Sequence, residues 1–261
     1  MSRPWVVILG ASSGFGAAAA KSFARAGYGI FGAHMDRRGT MPQVEALIQE
    51  LQSYDVPVIF QNGNAAKDES RGESIAHLVN HLQENGDYVK VVLHSLAFGT
   101  LRPYVSEDQA TLGRRHMEMT LDVMAHSLVY WVQDLLAAKA LREGGRIFAM
   151  TSSGSIAAWP AYGAVSAAKC ALESHIRQLA IELAPRKITA NAIMAGVTRT
   201  PALEKIPGAA ELARRAEERN PHGRLTTPED VANCLVTLSE DGTSWLTGNI
   251  LRVDGGESVS G

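Results

Sequence analysis

Short, uniformly apolar runs alternate with longer amphipathic ones from one end of the chain to the other. WVVIL (5–9), GIFGA (29–33), PVIFQ (57–61), VKVVLH (89–94), RIFAMT (146–151), ITANAI (188–193) and NILRV (249–253) are rich in β-branched and aromatic residues and read as strands. Between them, periodicity near 3.6 predicts helices at about 14–26, 42–53, 68–85, 107–139 with a break, 160–184 and 228–239. A strand without polar alternation is buried on both faces, and helices between such strands supply the cover. The pattern therefore predicts an α/β fold, a doubly wound parallel sheet of about seven Rossmann-like strands, in a single domain over 1–261. The segment 198–227 is the longest without a strand and is punctuated by Pro201, Pro207, Gly208 and Pro221; a substrate-lid insertion is expected there.

Composition narrows the class. With 46% apolar and 20% charged residues the chain is an ordinary globular one, and a net charge of −2 gives no pull toward nucleic acid or an anionic membrane. No run approaches membrane-spanning length, and MSRPWVVILG enters a strand without the apolar region of a signal peptide. Cys170 and Cys234 form no CxxC, so a cytoplasmic protein without disulfides is expected. His77 and His81 have an i, i+4 metal-ligand spacing but no third ligand, and no metal is expected. Met117, Leu121, Met124, Leu128, Trp131 and Leu135 form a stripe that is either core or a helix-packing dimer face.

Candidate chemistry begins directly after the first strand. In GASSGFG, Gly10, Gly14 and Gly16, with Ser12, Ser13 and Phe15 between them, lead into a helix. Glycines let the backbone approach a diphosphate, and the helix N-terminus offers free N–H groups and a positive dipole end. Strand before and helix after are the context that turns a glycine triplet into a dinucleotide site. Past the second strand, Asp36 stands where an acid would hold a ribose diol, while Arg37 and Arg38 suit a 2′-phosphate, with His34 at the strand end itself. The acid points to NADH and the arginines to NADPH; NADPH is the expected cofactor, with NADH possible, and solvated surface charges remain open for all three.

Tyr162 and Lys169 are seven residues apart, which on a helix places them on one face two turns apart. A phenol beside an ammonium is a proton donor with a supporting charge. The alternative is a packed tyrosine and a surface lysine.

The glycine motif, the Tyr/Lys pair, a serine ahead of it and VDGG (253–256) together resemble the short-chain dehydrogenase/reductase family over essentially the whole chain. Two details resemble its enoyl-acyl-carrier-protein reductases: the Tyr-x6-Lys spacing, and LHSLAFG (93–99) where ordinary members carry Asn-Asn-Ala-Gly. Ordinary members place the tyrosine four before the lysine, where this chain has Val165. Many enoyl reductases carry an aromatic residue ten before the tyrosine, where this chain has Ser152, and Asp122 falls near the family's tetrad asparagine. The resemblance implies reduction of the carbon–carbon double bond of 2-enoyl thioesters, on acyl carrier protein or coenzyme A, in fatty acid biosynthesis. It assigns Tyr162, Lys169 and Ser152 to the catalytic set, Ser152 either lining the acyl pocket or capping a strand end, and Asp122 either polarising a water or lying on a helix surface. It places Asn64 near the adenine, Ser95, Leu96 and Ala97 along the cofactor, and Val197 and Thr200 at the nicotinamide end. Phe98 and Trp159 become candidate acyl-tunnel residues, and a homodimer or homotetramer is implied. A carbonyl reductase acting on 3-ketoacyl substrates and a non-catalytic NADP(H)-binding regulator are the alternatives.

Overall fold

The computed structural model describes residues 2–260. Seven strands, β1 (Pro4–Leu9), β2 (Gly29–His34), β3 (Val58–Asn62), β4 (Tyr88–His94), β5 (Leu141–Thr151), β6 (Thr189–Ala195) and β7 (Ile250–Val253), form one sheet in the order β3-β2-β1-β4-β5-β6-β7. Every pairing is parallel. The order reverses between β1 and β4, and the crevice beyond the carboxyl ends of those two strands is where such folds bind ligands.

The helices are α1 (Gly14–Arg25), α2 (Met41–Gln52), α3 (Asp68–Asn85), α4 (Arg114–Leu121), α5 (Ser127–Ala137), α6 (Gly163–Glu182), α7 (Ala209–Arg219) and α8 (Pro228–Thr237). Strand β1 shows how the core divides. Val7 and Leu9 face one layer, packing with Leu78 of α3, Leu128 and Trp131 of α5, and Leu172 and Ile176 of α6. Val6 and Ile8 face the other, with Phe23 of α1, Leu51 of α2 and Leu235 of α8. Alternate side chains of a strand point to opposite faces, so a strand buried twice must be apolar throughout.

Three boundaries depart from the sequence pattern. Strand β5 starts at Leu141, five residues before the expected 146, because the polar LREGG stretch pairs through an irregularity that jumps from Val89↔Leu141 to Val91↔Arg146. The 107–139 helix is loop as far as Gly113, then α4, a π-helical turn over Asp122–His126, and α5. Within its stripe, Met124, Leu128, Trp131 and Leu135 are core, and the Trp131 indole donates to Ala65 O at 2.8 Å. Helix α6 starts at Gly163 rather than 160, which leaves Tyr162 at its N-cap instead of within it. The 198–227 segment holds a 3-10 turn (Leu203–Lys205) and α7. Among the described residues no helix is long and apolar enough to cross a membrane.

Candidate active site

The glycine turn closes by backbone contacts alone. Gly10 and Ala11 both donate to Ala33 O, at 2.8 and 3.1 Å, which ties the end of β1 to β2. Gly10 has φ +89°, and a Cβ there would lie 2.8 Å from Ser95 O and 3.3 Å from the Leu96 side chain. A Cβ at Gly16 would sit 1.9 Å from Gly10 O, so the helix start and the turn touch main chain to main chain. Ser13 caps α1 in extended conformation without a side-chain cap bond, leaving the first N–H groups to a ligand. Thr200 approaches Gly14, its methyl 3.4 Å from a Cβ built there. A turn that a Cβ would fill, under an uncapped helix N-terminus, fits a dinucleotide diphosphate.

His34 ends β2, as expected. His34 is buried, its ring tilted against Phe60, and its Nδ1 lies 3.0 Å from Asp36 Oδ2. Its ring is held against the Asp36 carboxylate. Thr40 donates to Asp36 Oδ1 at 2.8 Å. Burial presses the Asp36 carboxyl upward, but hydrogen bonds from Ser12, Thr40 and His34 outweigh it and hold the pKa below the ordinary value. Because Ser12 belongs to the glycine turn, the ionised acid faces the dinucleotide site. Arg37 and Arg38 are exposed. Asn64 spends its side-chain oxygen on Ala66 N at 3.0 Å, in the turn that leads to α3.

Tyr162 and Ser152 face each other beside α6. Burial raises the phenol's pKa above 10, with Ser152 opposing, so the phenol keeps its proton. Ser152 Oγ is buried without a partner in hydrogen-bonding geometry among the described residues. Gly154 makes room for the ring, since a Cβ there would lie 2.4 Å from Tyr162 Cε1. Lys169 is buried on α6, and its Nζ donates to Met150 O at 2.7 Å, leaving two of its three donors. Burial pulls the ammonium pKa down to about 8, opposed by Glu173. Val165 is plugged into the core beneath Gly99, beside Met124. A donor at 165 would have to displace the loop after β4, so Tyr162 is the phenol this site offers.

Other expected residues are arranged differently. Trp159 donates its indole N–H to Pro207 O at 2.9 Å, tying the loop before α6 to the 198–227 segment. Phe98 is half exposed on the β4–α4 loop, and Tyr104 of the same loop lies over Gly163, next to Tyr162. The Val197 amide is engaged by Glu257 Oε2 at 2.9 Å, and Glu257 also accepts from Arg219 at 3.0 Å. Asp122 opens the π-helical turn with its pKa raised by burial; the charges acting on it are His126, Asp68 and Arg71, and Lys169 is not among them. His77 faces Gln61, and His81 packs edge-on against Trp5.

The sequence pattern missed Glu173, Tyr104, Glu257 and His94. His94 is wholly buried, with Nε2 3.0 Å from Ser127 Oγ and an unpartnered Nδ1, and burial together with Lys169 drives its pKa to about 3. Glu173 alone had a signal: it is one turn after Lys169, on the face that carries Leu172 and Ile176 into the core.

Known proteins share both the sequence and the shape. The enoyl-acyl-carrier-protein reductase (NADH) FabI of Nostoc sp. is 32% identical over 227 residues, covering 87% of this chain and 84% of that one. The enoyl-acyl-carrier-protein reductase (NADPH) FabI of Staphylococcus aureus is 32% identical over 165 residues, 63% of each chain. The crystal structure of the enoyl-acyl-carrier-protein reductase (NADH) of Aquifex aeolicus superposes with a TM-score of 0.82 at 26% identity, covering 99% of this chain and 97% of that one. The family model described as enoyl-(acyl carrier protein) reductase matches residues 10–258. This chain belongs to that family, within the short-chain dehydrogenase/reductase fold.

Proposed function

We propose that the protein reduces the carbon–carbon double bond of 2-enoyl thioesters, with Tyr162 as the partner of the thioester oxygen. The observation that carries this is the displaced donor: Tyr162 at the N-cap of α6, with Val165 sealed in the core. In ketone reduction the carbon that accepts hydride bears the oxygen to be protonated. In conjugate reduction hydride goes to the β-carbon, and charge develops on an oxygen two carbons further along. Stabilisation counts only where charge develops, so the hydroxyl must stand further out. A bound nicotinamide cofactor supplies the hydride. Tyr162, protonated because it is buried, donates to the enolate oxygen. Lys169 directs its remaining donors at the ribose hydroxyls and lends the phenol a positive field. Ser152, its hydroxyl uncommitted, supports the phenol oxygen. The reading is tested by following cofactor oxidation with a trans-2-enoyl thioester and with the matching 3-ketoacyl thioester; a preference for the ketone would overturn it.

Cofactor choice turns on Asp36. Arg37 and Arg38 favour NADPH, but the oriented, ionised carboxylate accepts a ribose diol and repels a 2′-phosphate. We therefore read NADH as the better fit, against the NADPH preference that the arginines suggest. A hydrogen bond to a charged group contributes about 1.5–3 kcal/mol, so Asp36→Ala is expected to weaken NADH about 10–150-fold while sparing NADPH. Fluorescence titration of both cofactors measures this. Undiminished NADH affinity in the variant would return the assignment to the arginines. On the substrate side, acyl carrier protein is the carrier we favour, since the Nostoc and Staphylococcus relatives are named for it.

A further inference from the structure

Lys169 and Glu173 are one turn apart on α6, and both reach the last residues of β5. Lys169 Nζ donates to Met150 O at 2.7 Å, and the Thr151 hydroxyl donates to Glu173 Oε1 at 2.6 Å. Both side chains are buried, Lys169 at 6% and Glu173 at 8% exposure. A lone ammonium at that depth is costly to keep charged, and a paired acid is the usual remedy. We propose that Glu173 is a positioning residue for Lys169, its carboxylate anchored by Thr151 so that Lys169 stays charged and aimed along the end of β5. The inference rests on the reading of Lys169 as the cation that binds the cofactor ribose.

The surroundings of Lys169 isolate Glu173 as the balancing group. From β4 comes His94, which is neutral near pH 7 with a pKa of about 3 and so adds no competing positive charge, and whose other form is a cation that could not balance an ammonium. Ahead of α6 stands Tyr162, which burial keeps protonated, and β5 contributes only the Met150 carbonyl and the Thr151 hydroxyl. On α6, His175 acts on His94 and bears a pKa lowered by burial and by His126. Among these groups Glu173 alone raises the lysine pKa against its burial.

The sign follows. Lys169 binds the ribose as an ammonium, so affinity for the cofactor falls as pH rises through the lysine pKa of about 8. Without the Glu173 charge the ammonium is lost at lower pH, and the fall begins earlier. The experiment is a fluorescence titration of the full-length protein with NADH between pH 6.5 and 9.5 for wild type, Glu173→Gln, Glu173→Asp and Lys169→Met, with Tm measured for each. Glutamine keeps an acceptor for Thr151 and removes only the charge. The expected result is a break in log Kd near pH 8 for wild type, moved down by about one unit in Glu173→Gln, partly restored in Glu173→Asp and absent in Lys169→Met. A wild-type profile without a break, or an unmoved break in Glu173→Gln, would overturn the proposal; a lowered Tm with an unmoved break would mean that Glu173 only packs. If the break behaves as expected but enoyl thioesters are not reduced, the proposed function fails and this inference stands.

Discussion

Replacing Tyr162 by Phe is expected to lower turnover of a trans-2-enoyl thioester about 10²–10⁴-fold, the usual contribution of a positioned proton donor. The substitution removes one oxygen and keeps the ring that packs against Gly154, so fold and cofactor affinity are expected to persist. Val165 occupies the position one turn along, under Gly99, and Tyr104 presents its ring to Gly163 from outside the helix start. Ser152 is an aliphatic alcohol, a weaker proton donor than a phenol. Steady-state kinetics together with NADH titration checks this: kcat falls while Kd holds. A variant with undiminished kcat would remove Tyr162 from the chemistry.

Gly16→Ala carries the second large effect, on binding. The new methyl would overlap Gly10 O at 1.9 Å and press on Gly10 C at 2.9 Å and Ala11 Cα at 3.2 Å. These are backbone atoms, and Gly10 N is itself held by Ala33 O at 2.8 Å, so no side chain can swing aside. Either α1 moves away from the sheet or the turn opens, and both spoil the row of N–H groups. Overpacking of this kind costs about 1–3 kcal/mol, which expressed in affinity is about 5–150-fold in the NADH Kd. Gly72 is the control, since a Cβ there meets nothing within 4 Å in the middle of α3. Removing a helix-interior glycine stabilises by about 0.5–1 kcal/mol. Equal NADH affinity in wild type and Gly16→Ala would refute the close-contact account of the turn.

The sheet was legible because burial on both faces makes its central strands mostly apolar. All seven appear where the apolar runs predicted, and the family match agrees with the resemblance read from the Tyr/Lys spacing and the LHSLAFG segment. What escaped was set by partners distant in sequence. The LREGG extension of β5 looks like a loop, and its pairing depends on Val89 of β4. Nothing local shows that the ring of His34, at the strand end, turns inward to brace Asp36. Nor does anything local show that the Val197 amide donates to a carboxylate 60 residues away, that of Glu257. The spacing of Tyr162 and Lys169 placed both on one helix, but Tyr162 precedes that helix at its N-cap. The outward placement of the phenol therefore comes from the N-cap and the turn before it.

The central claim is that hydride reaches a carbon distant from the oxygen Tyr162 serves. The direct measurement is a single turnover with NADH carrying deuterium at the transferable position of C4, a trans-2-enoyl thioester and the purified protein, with the product read by mass spectrometry and NMR. The account predicts a saturated thioester with one deuterium at C3 and a solvent-derived hydrogen at C2. A product with deuterium on an alcohol carbon, formed only when a 3-ketoacyl thioester is supplied, would contradict it.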